Sequence, residues 1–241
     1  MPPRHMALAA AVAAVWGLNF VVIEVGLEEL PPLVLCALRF LVLAPLAFVL
    51  PRPAAWRSIL AIGLLLGVAK FGLLFTGMDV GMNAGLASVV LQAQAPFTLV
   101  LAALVLRERP GGRQLAGLAA AAAGIAVIGA TGGGEVTGAG LALCVGAAAA
   151  WSAANLSMKR AAASDPLALI VWISIVPPLP LFALSLAADG PGEVGSALAG
   201  MSAGEIGAVL YIAVVSTLGG FAAWSWLMRA YPAGQVASFA L

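Results

Sequence analysis

Apolar positions in this chain fall in long unbroken runs. A half-buried soluble helix would show an apolar stripe every third or fourth residue, and a strand would alternate. Runs of about 20 residues suit a helix crossing a bilayer core. Charges, Pro/Gly clusters and turn residues divide the chain into eight such runs and the start of a ninth: 6–27, 32–50, 58–78, 83–106, 114–131, 138–158, 166–187, 205–228 and 233–241. Strands of an outer-membrane barrel would alternate over about ten residues, so the pattern predicts an all-α polytopic membrane helix bundle. Two helix starts carry capping chemistry. Ser164-Asp165-Pro166 supplies cap residues before a first-turn proline, and Ser202 with Glu205 fits a capping box. The first run is too long for the core of a signal peptide, and more spans follow it.

Composition strengthens that picture. Hydrophobic residues make up 63% of the chain and charged residues 9%, against about 25% charged in a soluble domain. A formal net charge of +1 and the lack of a large Lys/Arg cluster give no track for nucleic acid. Cys36 and Cys144 lie in apolar runs and suggest no disulfide framework. With His5 as the single histidine, no metal site or cofactor is expected. The stretch TGGGEVTGAG (131–140) has no preceding strand and no phosphate-loop lysine, so it reads as a loop.

Charge then sets the topology. Counting loops alternately, one side holds Arg4, Arg52, Arg57, Arg107, Arg109, Arg113, Lys159, Arg160 and Arg229, nine of the eleven basic residues. The other side holds Glu28, Glu29, Asp79, Glu135, Asp189, Glu193 and Glu205. The positive-inside rule puts the basic side and the N-terminus in the cytoplasm.

The chain also echoes itself. AVWGLNF (14–20) is echoed by AAWSAANL (149–156), aligning Trp16 with Trp151 and Asn19 with Asn155. LPPLVL (30–35) is echoed by SDPLALI (164–170), and MNAGLASVV (82–90) by YPAGQVASFAL (231–241). The offset is about 135 positions early and 149 late, and five helices separate each copy from its mate. An odd number makes the copies run oppositely through the membrane, as in the inverted repeats of secondary transporters.

AVWGLNFVVIEVGLEELPPLVLCALRF (14–40) and GMNAGLASVVLQAQAPFTLVLAALVLRERPGGRQLAG (81–117) resemble the EamA family of the drug/metabolite transporter superfamily. That resemblance implies ten helices as two inverted five-helix repeats in the bacterial inner membrane. It also implies export of small amino acids or related metabolites, of the O-acetylserine and cysteine kind. Residues 1–131 would then be the first repeat, with five membrane helices. Residues 138–241 would be an incomplete second repeat, with three helices and the start of a fourth. The chain would hold about eight and a half helices, and about 40 residues of the family pattern are expected to be missing from its C-terminal end.

Three ionisable residues lie inside the runs. Lys70 sits in LLLGVAKFGLLF (64–75), where a charge near the midplane costs roughly 2.5–3.5 kcal/mol. It reads either as a fixed charge that attracts a substrate carboxylate or as a lysine satisfied by helix-end carbonyls or Gln side chains. Gly67 and Gly72 on either side allow close approach by a neighbouring helix. Glu24 and Arg39 fall on the outer halves of adjacent helices, and a structural ion pair is expected between them. Trp16, Asn19 and Phe20 share one helix face, and Gln92 lies mid-helix before Pro96. Lys70, Asn19, Gln92, Trp16 and Asn155 are thus the candidate substrate contacts. Asn19 and Gln92 read equally as glue between helices, and for Gln94 and Asn155 glue is the favoured reading.

No nucleophile with a base, paired acid or metal-ligand set occurs at depth, so an intramembrane enzyme is not expected. The expected partners are a small-molecule substrate and the lipid bilayer. The rival reading is a non-transport membrane protein, such as a structural subunit or small channel, which leaves the inverted repeat without a purpose.

Overall fold

The structure, a computed structural model, describes residues 1–106, 111–131, 136–161 and 163–231. Its regular secondary structure among these residues is helical, apart from one antiparallel bridge between Met82 and Val136. In chain order the helices are α1 (Pro3–Gly26), α2 (Pro32–Leu43, extended as a tighter turn over Ala44–Phe48) and α3 (Trp56–Asp79). Then come α4 (Ala84–Leu91), α5 (Gln94–Leu106), α6 (Gly112–Thr131) and α7 (Gly138–Ala161). After these follow α8 (Pro166–Ile173), α9 (Pro178–Ala188), the short α10 (Pro191–Ala199) and α11. This last helix runs through Ala203–Leu210, Tyr211–Gly219 and Gly220–Ala230.

Among the described residues, six apolar segments are long enough to cross a membrane: Pro3–Gly26, Trp56–Asp79, Ala84–Leu101, Gly138–Met158, Pro166–Ala188 and Ala203–Trp224. Pro32–Phe48 and Leu115–Thr131 are shorter apolar helices. All eight coincide with the expected runs. The expected ninth, at 233–241, lies outside the described residues. The chain is therefore a multi-pass membrane protein.

The helix boundaries follow local chemistry. Asn83 accepts from the Leu86 amide at 2.8 Å, Asp165 accepts from the Leu167 amide at 2.9 Å, and Ser202 with Glu205 forms the expected capping box. Two expected helices are broken where prolines remove backbone donors. Pro96 follows the break between α4 and α5 at Gln92–Ala93, and Pro177 and Pro178 end the break between α8 and α9. The acidic 188–204 stretch, expected as a loop, contains α10.

Two further irregularities have no proline. Gly63–Lys70 in α3 and Tyr211–Gly219 in α11 are π-helical, a widened turn that favours functional positions. Lys70 and Gly219, their last residues, are 149 positions apart, which is the late offset of the sequence echo. The Thr217 hydroxyl donates to the Ile212 carbonyl at 2.8 Å, across the wide turn.

Helix α3 lies at the centre: 56% of its span is buried, against 22% for α1. It packs on α7 and α2, α1 packs on α11, and α2 packs on α9 and α11. Lipid-like surroundings give little hydrophobic drive between helices, so small residues must let the backbones approach. A Cβ on Gly67 would lie 2.1 Å from Pro177 Cγ, and one on Gly63 would lie 2.6 Å from Val176 Cβ. Farther along, a Cβ on Gly140 would lie 2.9 Å from the Gly77 carbonyl oxygen. Large apolar side chains such as Phe48, Leu104 and Leu179 point outward, at 96%, 72% and 80% exposure, the surface a bilayer requires.

A compact knot joins α3, α4 and the start of α7. Gly81 has φ +108° and turns the chain between α3 and α4. The Thr137 amide donates to the Gly81 carbonyl at 2.9 Å, and its hydroxyl donates to the Val80 carbonyl at 2.7 Å. That hydroxyl also accepts from the Gly140 amide at 2.9 Å.

The packing yields one test. Gly67→Ala drives a methyl into the Pro177 ring and is expected to cost about 1–3 kcal/mol of stability. Gly17→Ala, with nothing within 4 Å of the added Cβ, is expected to be neutral. Thermal unfolding in detergent compares the two.

Candidate functional site

Lys70 is 5% exposed and ends the π-helical segment of α3. Its Nζ lies 3.3 Å from the centroid of the Phe71 ring and 4.8 Å from that of Trp151 on α7. No carboxylate reaches it among the described residues. Arg39, on α2 and 2% exposed, stacks its Cζ 3.8 Å from the same Phe71 centroid. Two cations therefore share one ring and lie no more than about 7 Å apart. At an effective dielectric of about 20, unit charges at that distance repel by about 2 kcal/mol.

The expected Glu24–Arg39 pair is not made. Glu24 is exposed on α1, whereas Arg39 is buried and its Nη2 donates to Thr217 Oγ1 on α11 at 2.8 Å. Shared depth along the sequence put both residues on the outer halves of their helices. The direction each helix faces decides the outcome, and Arg39 faces inward. Its Nε and Nη1 make no hydrogen bond to the protein.

Trp16 reaches α11 from the other side. Its Nε1 donates to the Ser216 carbonyl at 3.0 Å, and its ring lies 5.4 Å from Phe221 and 5.2 Å from Trp224. A Cβ on Gly220 would lie 2.6 Å from Trp16 Nε1, so the indole occupies a glycine-made notch. A chain of contacts follows: Trp16 to Ser216, then Thr217, Arg39, Phe71, Lys70 and Trp151. It runs through both π-helical segments and ends on the two tryptophans aligned by the sequence echo. Asn19 is 7% exposed on α1, and its Oδ1 has no hydrogen-bond partner in the protein.

Gln92 and Asn155 sit elsewhere. Gln92 is exposed at the break before α5. Asn155 Nδ2 donates to Gln94 Oε1 at 2.9 Å, while Ser152 and Thr98 both donate to the Gln94 carbonyl, at 2.9 and 2.7 Å. This network ties α5 to α7 at the proline-induced break. Sequence reasoning missed Phe71, Trp151 and Thr217. The signal for Trp151 was present, because it is the repeat mate of Trp16. Thr217 offered none, since its partner is set by packing between distant helices.

The acidic side of the sequence gathers at one end of the bundle. Glu28, Glu29, Asp79, Asp189, Glu193 and Glu205 all line a cavity of about 450 Å³. Arg4, Arg52, Arg57 and Arg160 are exposed. Arg57 and Asp79 stand at opposite ends of α3, so the charge division runs along the bundle. No group of three or more His, Cys, Asp or Glu suited to a metal ion occurs among the described residues.

The sequence profile of the EamA-like transporter family matches residues 4–130. The chain is 38% identical over 249 residues to a probable amino-acid metabolite efflux pump of Escherichia coli, covering 100% of this chain and 83% of that protein. A Salmonella typhimurium protein of the same name is 39% identical, over 97% of this chain and 81% of that protein. An uncharacterized transporter of Archaeoglobus fulgidus is 25% identical, over 94% and 81%.

The Asn155–Gln94 bond gives a direct measurement. In a double-mutant cycle of Asn155→Ala and Gln94→Ala, a coupling of about 0.6 kcal/mol is expected in detergent unfolding.

Proposed function

The chain belongs to the EamA-like transporter family, and on that basis we propose that it exports small amino acids or related metabolites, of the O-acetylserine and cysteine kind, by alternating access. It is a membrane efflux transporter rather than an enzyme, set in the bacterial inner membrane with its N-terminus in the cytoplasm. The cargo reading draws on the names of the relatives, which are amino-acid metabolite efflux pumps.

One observation carries the choice of site. Lys70 is a buried cation at mid-helix depth, held on the Phe71 and Trp151 rings without an acidic partner among the described residues. Deep ionisable residues in membrane proteins mark substrate pathways, and the charge suits a substrate carboxylate. On this reading Trp16 and Asn19 supply further contacts from α1, and Gln92 and Asn155, near the α4–α5 break, meet the cargo at another point of its passage. Residues 1–131 and 138–241 act as the two inverted repeats. The paired π-helical segments at the offset of 149 support that division.

Purified protein in proteoliposomes, loaded with cysteine or O-acetylserine, tests the reading. Lys70→Met is expected to lower efflux by about tenfold or more, because a hydrogen bond to a charged group contributes about 1.5–3 kcal/mol. Unchanged efflux would remove Lys70 from the path. Orientation is checked by labelling intact cells with a membrane-impermeant maleimide. Glu193→Cys is expected to react, and Arg57→Cys to react only after permeabilisation.

A further inference from the structure

We infer that Arg39 is a substrate contact, forming with Lys70 a two-cation seat for a single carboxylate, so that the cargo class is defined by its carboxylate and not by its amine. The inference rests on the transport reading above. Arg39 carries five N–H donors in a planar fork. One nitrogen is committed to Thr217, and Nε and Nη1 have no acceptor in the protein. Stacking on Phe71 uses the face of the guanidinium and leaves its N–H edge free for a planar anion. Lys70, on the same ring, supplies a second cation no more than about 7 Å away. A carboxylate accepts charge-assisted bonds at about 2.7–2.9 Å through both of its oxygens, one oxygen for each basic group of the seat.

A carboxylate beside these two buried basic groups compensates both, which a neutral or cationic ligand cannot do. The same arrangement offers no acidic side chain to a substrate ammonium among the described residues. An amino acid whose amine is acylated therefore retains the recognised group, and the decarboxylated amine loses it. Thr217 is a positioning residue: it belongs to α11, so it aims an arginine of the first half from the second half.

The test uses the full chain in nanodiscs, with calorimetric binding of cysteine, N-acetylcysteine and cysteamine. The wild type is expected to bind the two carboxylates within about threefold of one another and cysteamine about tenfold or more weakly. Arg39→Gln is expected to weaken both carboxylates by about tenfold or more and leave cysteamine unchanged, with Arg39→Lys recovering part of the loss. Thr217→Val removes the positioning bond and keeps the charge. It is expected to weaken both carboxylates by about threefold, well short of the loss in Arg39→Gln, and to leave cysteamine unchanged. Wild-type affinity in Arg39→Gln would overturn the inference. So would cysteamine binding as well as cysteine, no carboxylate binding at all, or a loss in Thr217→Val equal to that in Arg39→Gln. Carboxylates that bind in this pattern but are not effluxed by proteoliposomes would leave the seat standing and sink the transport reading. Efflux of cysteine with an unaffected Arg39→Gln would do the reverse.

Discussion

Close backbone approach along α3 is the constraint on which the molecule rests. Gly63 and Gly67 admit Val176 and Pro177, and Gly77 meets Gly140. In a medium without hydrophobic drive between helices, contact distance decides which helices associate. These glycines place α7 and the α8–α9 break against α3, and so close the space around Lys70. Without that closure Lys70 would face lipid. With it, the lysine lies between aromatic rings from two helices.

The polar interior is narrow and linear. Trp16, Ser216, Thr217, Arg39, Phe71, Lys70 and Trp151 succeed one another across the bundle, with contributions from α1, α11, α2, α3 and α7. The π-helical turns supply three of its members, Lys70, Ser216 and Thr217, at the points where regular helix geometry is relaxed. The apolar bulk around this line provides position, and the line itself holds buried polar groups.

Much of this was legible from residue order. Runs of apolar length gave the spans, capping residues gave several helix starts, and alternating loop charge gave the two ends, which the acidic cavity now unites. Lys70 stood out because its charge has no polar neighbours in sequence. Arg39 was misread because sequence depth does not report the direction a side chain faces, so Glu24 looked like its partner when Thr217, far along the chain, is. The π-helical turns were invisible because glycine and aliphatic residues in those stretches read as ordinary helix. Asn155 and Gln94 illustrate an intermediate case. Both were recognised as polar groups at depth, but only geometry shows that they spend their hydrogen bonds on each other.

The knot at Gly81 and Thr137 has a mechanical consequence. Two hydrogen bonds and the Gly77–Gly140 contact clamp the start of α7 to the end of α3. This junction is thus a fulcrum, and α7 is a lever about 36 Å long at 1.5 Å per residue over its 24 residues. A tilt of about 5° at the pinned end swings the free end by about 3 Å, given that length. A tilt of α7 about this junction would therefore displace residues beside the acidic cavity least and those at the basic end most, with Trp151 partway along the arm.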